Sequence, residues 1–351
     1  MIEKGNMLSK KKYFIKLFLV FSLGLLSSIL IFGQEVDKIN DVDNSYIPIP
    51  KNTIINLYDA FGESNDDMQK DFGFSCIVNY NGTIILFDGG TNADIFRKNI
   101  EALKIDLTKI DFAVASHAHF DHINGFDYLL KVNPNIKIYF PFDLFWGANI
   151  PFDISGTDST AVHSLEKRMQ YFDGDFQSYS FDQSGRFWRS NIEFVKGNTS
   201  LASGINLIVT SSPYMGYFMK YPNLNLENEG FELDKSASNN ATLIELPELS
   251  LSLKTEEGEV LIVGCSHSTV EKIVRETKSF SDEEISLLYG GYHLLPYDAE
   301  ILTKLAIKLK TELKVKKVAP AHCTGHLAFK ILQDNFKENY FFAGLGEKVE
   351  F

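Results

Sequence analysis

Cysteine is scarce in this chain of 351 residues, which contains Cys76, Cys265 and Cys323. A sparse and odd-numbered set of cysteines does not build a disulfide framework, so the fold has to rest on an apolar core. The composition can supply that core, since 44% of the residues are hydrophobic and 29 are phenylalanines. Cys76 stands in an apolar run and is predicted to belong to the core.

Positive charge is also in short supply. The chain has 34 Lys and Arg against 46 Asp and Glu, which gives a formal net charge of −12. Because no basic stripe offsets this excess, a nucleic-acid backbone is not expected as a partner. The expected partner is a small-molecule substrate, and an acidic protein can still bind an anionic one where metal ions dominate the field inside the site.

The long apolar run of the chain lies near its N-terminus. Lys10-Lys11-Lys12 precede an apolar run from Leu17 to Phe32, and a polar stretch follows. This order is typical of a signal peptide, predicted here for residues 1–34, and the protein is therefore expected to be exported to the periplasm or secreted. An uncleaved membrane anchor formed by residues 15–32 is the alternative, and no other membrane contact is expected. Residues 35–52 are predicted to be a linker.

Residues 53–351 are predicted to form one α/β domain. Apolar runs on both sides of Asn81-Gly82 predict a β-hairpin, because this dipeptide is the favoured two-residue turn. Helical spacing over residues 92–103 and a strand over 110–115 follow, and strand–helix–strand order is typical of an α/β sandwich. Residues 141–235, approximately, are rich in aromatic residues, Asp, Gly and Asn, and are predicted to be a loop-rich insertion with short strands at 192–195 and 205–209.

The strongest chemical signal is a cluster of histidines in a chain that has only eight of them. His117, His119 and His122 lie close together with Asp121, directly after a run that predicts a buried strand. Alternate residues of an extended segment point the same way, so His117 and His119 can bind one ion from the same side. Asp121 and His122 would then face a second ion. Imidazole nitrogen and carboxylate oxygen are ligands that zinc prefers.

Polar residues also follow the predicted strands elsewhere in the chain. The segments concerned are Asp88-Gly89-Gly90, Gly264-Cys265-Ser266-His267, Gly290-Gly291-Tyr292-His293 and Pro320-Ala321-His322-Cys323. This repeated placement predicts an active site built on loops at strand ends.

Together these motifs resemble those of the metallo-β-lactamase fold superfamily. The resemblance lies in Asp88, in the His-x-His-x-Asp-His core of residues 117–122 and in the later strand-end residues. Residues 264–267, 290–293 and 320–325 resemble one subgroup, related to 7,8-dihydropterin-6-methyl-4-(β-D-ribofuranosyl)-aminobenzene-5′-phosphate synthase. The resemblance spans roughly residues 53–345 and implies an αββα sandwich of two mixed sheets.

The resemblance also implies a ligand set for two metal ions. The first ion would be held by His117, His119 and His267, and the second by Asp121, His122 and His322. Asp88 would accept a hydrogen bond from a ligand imidazole and so fix its tautomer. The expected cofactor is Zn²⁺, as one or two ions, with Mn²⁺ and Fe²⁺ as the alternatives.

Two residues keep two interpretations each. Many members of the superfamily have a metal-bridging Asp where this chain has Cys265, which either binds metal as a thiolate or packs as a thiol. His293 either contacts the substrate or is hydrogen-bonded beside a ligand histidine.

The activity expected from this ligand set is that of a metal-dependent hydrolase. A metal-bound hydroxide would attack a small-molecule ester, phosphoester, lactone or amide. Asp121 would orient the nucleophile, and His293 would contact the substrate. The alternatives are an iron-dependent oxidoreductase on the same fold, a pterin-related synthase and a non-catalytic binding protein.

Overall fold

The computed structural model describes residues 46–62, 67–142, 149–151, 180–182, 191–212, 224–225, 230–231 and 246–351. The predicted signal peptide or anchor at 1–34 and most of the predicted linker at 35–52 lie outside these residues. Ile47 to Phe351 form one compact unit. Within the described ranges, no helix combines the length and the apolarity needed to cross a bilayer.

Strands and helices alternate along much of the described chain. Its first part contains β1 (Thr53–Tyr58), β2 (Ser75–Tyr80), β3 (Thr83–Phe87), α1 (Ala93–Ala102), β4 (Phe112–Val114), α2 (Phe120–Ile123), α3 (Phe126–Val132), β5 (Lys137–Pro141), β6 (Asn149–Pro151), β7 (Ser180–Asp182), β8 (Asn191–Val195), β9 (Thr199–Ala202) and β10 (Ile205–Ser212). The rest contains β11 (Leu224–Asn225), β12 (Gly230–Phe231), β13 (Leu246–Thr255), β14 (Gly258–Val263), α4 (Val270–Ser281), β15 (Ile285–Gly291), α5 (Ala299–Thr311), β16 (Lys317–Ala321), α6 (His326–Phe336) and β17 (Lys348–Glu350).

Most of the described strands belong to two mixed sheets. Sheet one has seven strands in the order β17-β1-β2-β3-β4-β5-β8, and sheet two has six in the order β16-β15-β14-β13-β10-β9. Within sheet one, β3, β4, β5 and β8 are parallel neighbours, and within sheet two β14, β15 and β16 are parallel neighbours. The remaining pairs in both sheets are antiparallel. Each sheet therefore brings the carboxyl ends of several strands to one edge.

Three apolar layers hold the two sheets and their helices together. Phe87 and Val114 of sheet one meet Leu251 and Ile262 of sheet two in the layer between the sheets. Helices α1 and α3 bury their apolar side chains on the outer face of sheet one, and α4, α5 and α6 bury theirs on the outer face of sheet two. Burial of this kind is worth roughly 25 cal/mol per Å² of apolar surface removed from water. The chain is an αββα sandwich, which confirms the predicted fold class.

Local sequence explains where several of these elements start and turn. Asn81 and Gly82, with φ of 54° and 103°, form the predicted hairpin turn between β2 and β3. Asn92 caps α1 by accepting hydrogen bonds from the backbone N–H groups of Asp94 and Ile95. Asp298 caps α5 in the same way. Such caps satisfy donors that the first helical turn leaves open.

Part of the predicted insertion contributes strands to the two sheets. Residues 191–212 fall inside the predicted range of 141–235, yet they form β8 at the edge of sheet one and β9 and β10 in sheet two. β10 pairs with β13 along its whole length. These strands look short and isolated in the sequence because the partners that bury them lie far away along the chain. Most of the other residues in the range lie outside the described part of the chain.

Candidate metal centre

The predicted site residues follow the carboxyl ends of strands in both sheets. Asp88 follows β3, the segment from Ser116 to His122 follows β4, and later site residues follow β14, β15 and β16. Residues with left-handed backbone stand at four of these turns, namely Asp88, Ser266, His293 and His322, with φ of 60°, 60°, 52° and 49°. Non-glycine residues rarely adopt this conformation, and it concentrates at functional sites.

The structure brings His117, His119 and His267 together as group one. Their ligand nitrogen atoms lie within 4.8 Å of one another, and all three residues are buried. Nε2 of His117 lies 3.1 Å from Nδ1 of His119. Burial, reinforced by the neighbouring imidazoles, lowers the pKa of His117 and His267 well below its usual range. Neutral imidazoles at this spacing suit zinc, whose bonds of about 2.0–2.1 Å set tetrahedral nitrogen ligands roughly 3.3 Å apart.

Group two adjoins group one and consists of Asp121, His122, Cys265 and His322, all buried. Oδ2 of Asp121 lies 3.7 Å from Nε2 of His122 and 3.4 Å from Nε2 of His322. Sγ of Cys265 lies 3.1 Å from Nε2 of His122, so its side chain faces the site. Burial opposes the ionisation of Asp121, but the imidazoles of His122 and His322 outweigh it and hold the pKa of the carboxyl well below its usual range.

Both groups take members from the two sheets. His117, His119, Asp121 and His122 follow a strand of sheet one, whereas His267, Cys265 and His322 follow strands of sheet two. The ring centroids of His117 and His122 are 4.2 Å apart, which places the two groups side by side. The donor set and its spacing therefore fit two metal ions at the junction of the sheets.

Asp88 holds the histidine segment in position. Its Oδ1 accepts a hydrogen bond from the backbone N–H of Ser116 at 2.6 Å, and its Oδ2 accepts one from Ser116 Oγ at 2.7 Å. Nδ1 of His122 lies 2.6 Å from the same Oδ2. Because the carboxylate accepts, the proton of His122 sits on Nδ1, and Nε2 is left to face Asp121 and Cys265. Asp88 therefore contacts an imidazole of group two, and its role beside a bound metal stays a prediction.

Gly264 provides the space that Ser116 needs beside Asp88. A Cβ at position 264 would lie 2.2 Å from Ser116 Oγ and 3.2 Å from Oδ2 of Asp88. We expect Gly264→Ala to displace Ser116 from Asp88 and to lower the free energy of unfolding by about 1–3 kcal/mol, as overpacking of a buried site does. Denaturant unfolding measures this, with Gly197→Ala as the control because a Cβ at Gly197 meets nothing within 4 Å. Equal stability of both variants would contradict the expectation.

Two buried carboxylates that the sequence analysis missed support the ligand histidines of sheet two. Oδ2 of Asp59 accepts the backbone N–H of His322 at 3.0 Å. Glu248 accepts the backbone N–H groups of His267 and Ser268 at 2.7 and 2.8 Å. Burial raises the pKa of Asp59 to about 7, against the opposing effect of His322. The available signal was weak: Glu248 is the one charged residue in the run from Leu246 to Leu253.

His293 lies beside group one. Its ring centroid is 4.4 Å from that of His267, and the side chain is buried. It is therefore close enough to the site to touch a ligand histidine, and contact with a substrate stays a prediction.

On the other side of the centre, the rings of Phe72 and Phe74 lie 4.8 and 6.1 Å from the ring of His322 and give the site an apolar wall.

Comparison with known proteins agrees with this architecture. Residues 69–186 match the model of the metallo-beta-lactamase superfamily. The chain is 27% identical over 281 residues to 7,8-dihydropterin-6-methyl-4-(beta-D-ribofuranosyl)-aminobenzene-5'-phosphate synthase of Methanocaldococcus jannaschii, with 76% of this chain and 84% of the synthase covered. It is 25% identical over 277 residues to the uncharacterized protein MJ0448 of the same organism, with 79% of this chain and 92% of that protein covered.

A solved structure has the same fold. It is the crystal structure of Tm1679, described as a metal-dependent hydrolase of the beta-lactamase superfamily. The superposition has a TM-score of 0.59 and 23% sequence identity, and it covers 85% of this chain and 98% of the other. At this level of identity the likeness establishes the shared fold.

Proposed function

We propose that the chain, whose residues 69–186 match the model of the metallo-beta-lactamase superfamily, is a metal-dependent hydrolase acting on a small-molecule ester, phosphoester, lactone or amide. The observation that carries the proposal is the pair of adjoining donor groups described above, built from buried imidazoles and an ionised carboxylate. Without a metal ion, a buried cluster of this kind does not stabilise the fold, because lone pairs of neighbouring nitrogen and oxygen atoms point at one another. It becomes favourable when cations lie between them.

The ions would be held by group one and by group two. When bound there, they lower the pKa of a coordinated water and polarise a carbonyl or phosphoryl oxygen. The remaining work belongs to side chains of this chain. Asp121, whose neighbours keep it ionised, would orient the attacking water through a carboxylate oxygen, and His293 would contact the substrate beside group one. The apolar wall of Phe72 and Phe74 would limit the access of bulk water and so strengthen these polar interactions.

A second candidate is the chemistry of a pterin-related synthase. The observation that favours it is the similarity to the M. jannaschii synthase, which extends over 84% of that protein's length. Under this candidate the substrate would be a pterin precursor or a phosphorylated ribosyl compound. Turnover of such a compound, with no hydrolysis of simple esters, phosphoesters, lactones or amides, would favour the synthase over the hydrolase.

Metal content tests the proposal most directly. We expect full-length protein purified without added metal or chelator to contain about two zinc or manganese ions per chain, one for each donor group. Chelation should abolish hydrolysis of a panel of chromogenic esters, phosphoesters, lactones and amides, and added zinc should restore it. Elemental analysis and the activity panel are the measurements.

Two other results would contradict the hydrolase. A single iron per chain with oxygen-dependent turnover would indicate an iron-dependent oxidoreductase instead. Protein that contains no metal and takes up none on reconstitution would show that the donor groups are not competent, and a non-catalytic binding protein would then be the better description.

A further inference from the structure

Two buried thiols and an imidazole form a third cluster beside group two. Cys265, His293 and Cys323 have ligand atoms that lie within 4.8 Å of one another, and each of the three residues is buried. Sγ of Cys323 lies 3.4 Å from Sγ of Cys265, and a ring nitrogen of His293 lies within 4.8 Å of both sulfur atoms. Cys265 is shared with group two, whereas Cys323 belongs to this cluster alone.

The strand order explains why the two thiols meet. Cys265 follows β14 and Cys323 follows β16, and these strands lie on opposite sides of β15. Two strand spacings separate β14 from β16 by roughly 9.6 Å, so the thiols would not meet if a side chain stood at the end of β15. Gly291 stands there, and a Cβ at this position would lie 3.0 Å from Sγ of Cys323. Glycine at the end of β15 leaves the space in which the two sulfur atoms approach each other.

The distance between the sulfur atoms distinguishes two chemical arrangements. A disulfide bond requires about 2.05 Å. Two thiolates that bind one tetrahedral zinc-like ion at about 2.3 Å stand roughly 3.8 Å apart. The observed 3.4 Å excludes a disulfide and is a contact between two thiols, which a shared ion would have to widen by only roughly 0.4 Å. All three cysteines of the chain lie among the described residues and are free thiols.

We propose that Cys265, Cys323 and His293 form a binding site for a thiophilic cation, separate from the two ions of the hydrolytic centre. Two sulfur atoms and one nitrogen are a softer donor set than the imidazoles and carboxylate of the neighbouring groups, so the site selects soft ions such as Cd²⁺ or Cu⁺ over the ions of the hydrolytic centre. Binding of a divalent ion converts both thiols to thiolates, forms two metal–sulfur bonds and releases two protons to solvent. Because Cys265 belongs to this cluster and to group two, its thiolate would lie between this ion and the ion of group two.

Cadmium titration of reduced, metal-free, full-length protein tests the site. Thiolate–cadmium bonds absorb in the ultraviolet, and the band grows with the number of thiolates on the ion. We expect the wild-type protein to give a band of two thiolates on one ion and to release two protons for that ion. Cys323→Ser should halve the band and weaken binding at this position by more than about 100-fold, since loss of a metal-binding group should exceed the effect of losing a supporting neighbour. Cys76→Ser is the matched control, because Cys76 is a buried thiol of β2 and should leave the band unchanged.

Two results would overturn the proposal. One is a wild-type band of a single thiolate per ion, which Cys265 in group two would give alone; this result needs no variant to be folded. The other is a Cys323→Ser variant that binds cadmium as the wild-type protein does. Because the cadmium band is measured without turnover, this test of the thiol site does not depend on the proposed hydrolase activity. A protein without hydrolytic activity can still show the two-thiolate band.

Discussion

Replacing His119 with alanine is expected to abolish hydrolysis while the protein stays folded. His119 would supply one of the three nitrogen ligands of group one and is 9% exposed. It stands at the start of α2 without a capping bond from its side chain, so the helix does not need the imidazole. Loss of a metal-binding group should exceed the 10–100-fold effect of its supporting neighbours, so kcat/KM should fall by about a thousandfold or more.

The measurement is kcat/KM on whichever substrate of the panel the wild-type enzyme hydrolyses, together with elemental analysis and near-UV circular dichroism. We expect the variant to lose one ion per chain and to keep its circular dichroism spectrum. His326→Ala is the control, since His326 is an exposed histidine at the start of α6. Full activity of His119→Ala would exclude a mechanism that depends on the ion of group one.

Asp88→Asn is expected to weaken the second ion selectively. Asp88 accepts three hydrogen bonds through its two oxygen atoms, two from Ser116 and one from His122. Asparagine has nearly the same shape but only one acceptor oxygen. Its NH₂ group, which is a donor, would therefore face one of the N–H or O–H donors that Asp88 now accepts from. The proton of His122 would then move away from Nδ1, and Nε2 would no longer face group two as an acceptor. Supporting residues of this kind contribute about 10–100-fold to metal affinity or activity.

Competition with a chromogenic chelator measures the two affinities. The affinity for the ion of group two should fall by about 10–100-fold, because Asp88 contacts His122 of that group. The affinity for the ion of group one should stay near its wild-type value. Asp111→Asn is the control; this carboxylate accepts the backbone N–H of Ile84 at 2.7 Å on the exposed surface. Equal loss of both ions would indicate that the variant disturbs the fold instead of the tautomer of His122.

The sequence predicts part of this centre because of how its residues are spaced. Four of its residues are close in sequence and directly follow one strand, which determines where they leave the sheet: His117, His119, Asp121 and His122. The local pattern is therefore sufficient to predict that they lie together. His267, His293 and His322 each follow an apolar strand, and parallel strands of one sheet deliver their ends to one edge. The alternation of the chain between strands and helices similarly predicts the sandwich, which depends on periodicity and not on distant partners.

The rest depends on contacts that no local pattern contains. Asp59 supports His322 across 263 residues of sequence, and β1 and β16 belong to different sheets. The meeting of Cys265 with Cys323 depends on β15 lying between their strands and on the glycine at its end. β8, β9 and β10 resemble strands of an insertion for the same reason, since only their pairing shows that they complete the two sheets.

The centre also connects the two halves of the sandwich. Each donor group takes residues from both sheets, so an ion bound there cross-links them. Such an ion binds the folded chain and has no equivalent site in the unfolded one, and binding therefore shifts the folding equilibrium by mass action. At a free concentration one hundred times its Kd, one ion adds about 2.7 kcal/mol to the free energy of unfolding. We therefore expect the melting temperature of this protein to rise with the free metal concentration, and metal depletion to weaken the connection between the sheets.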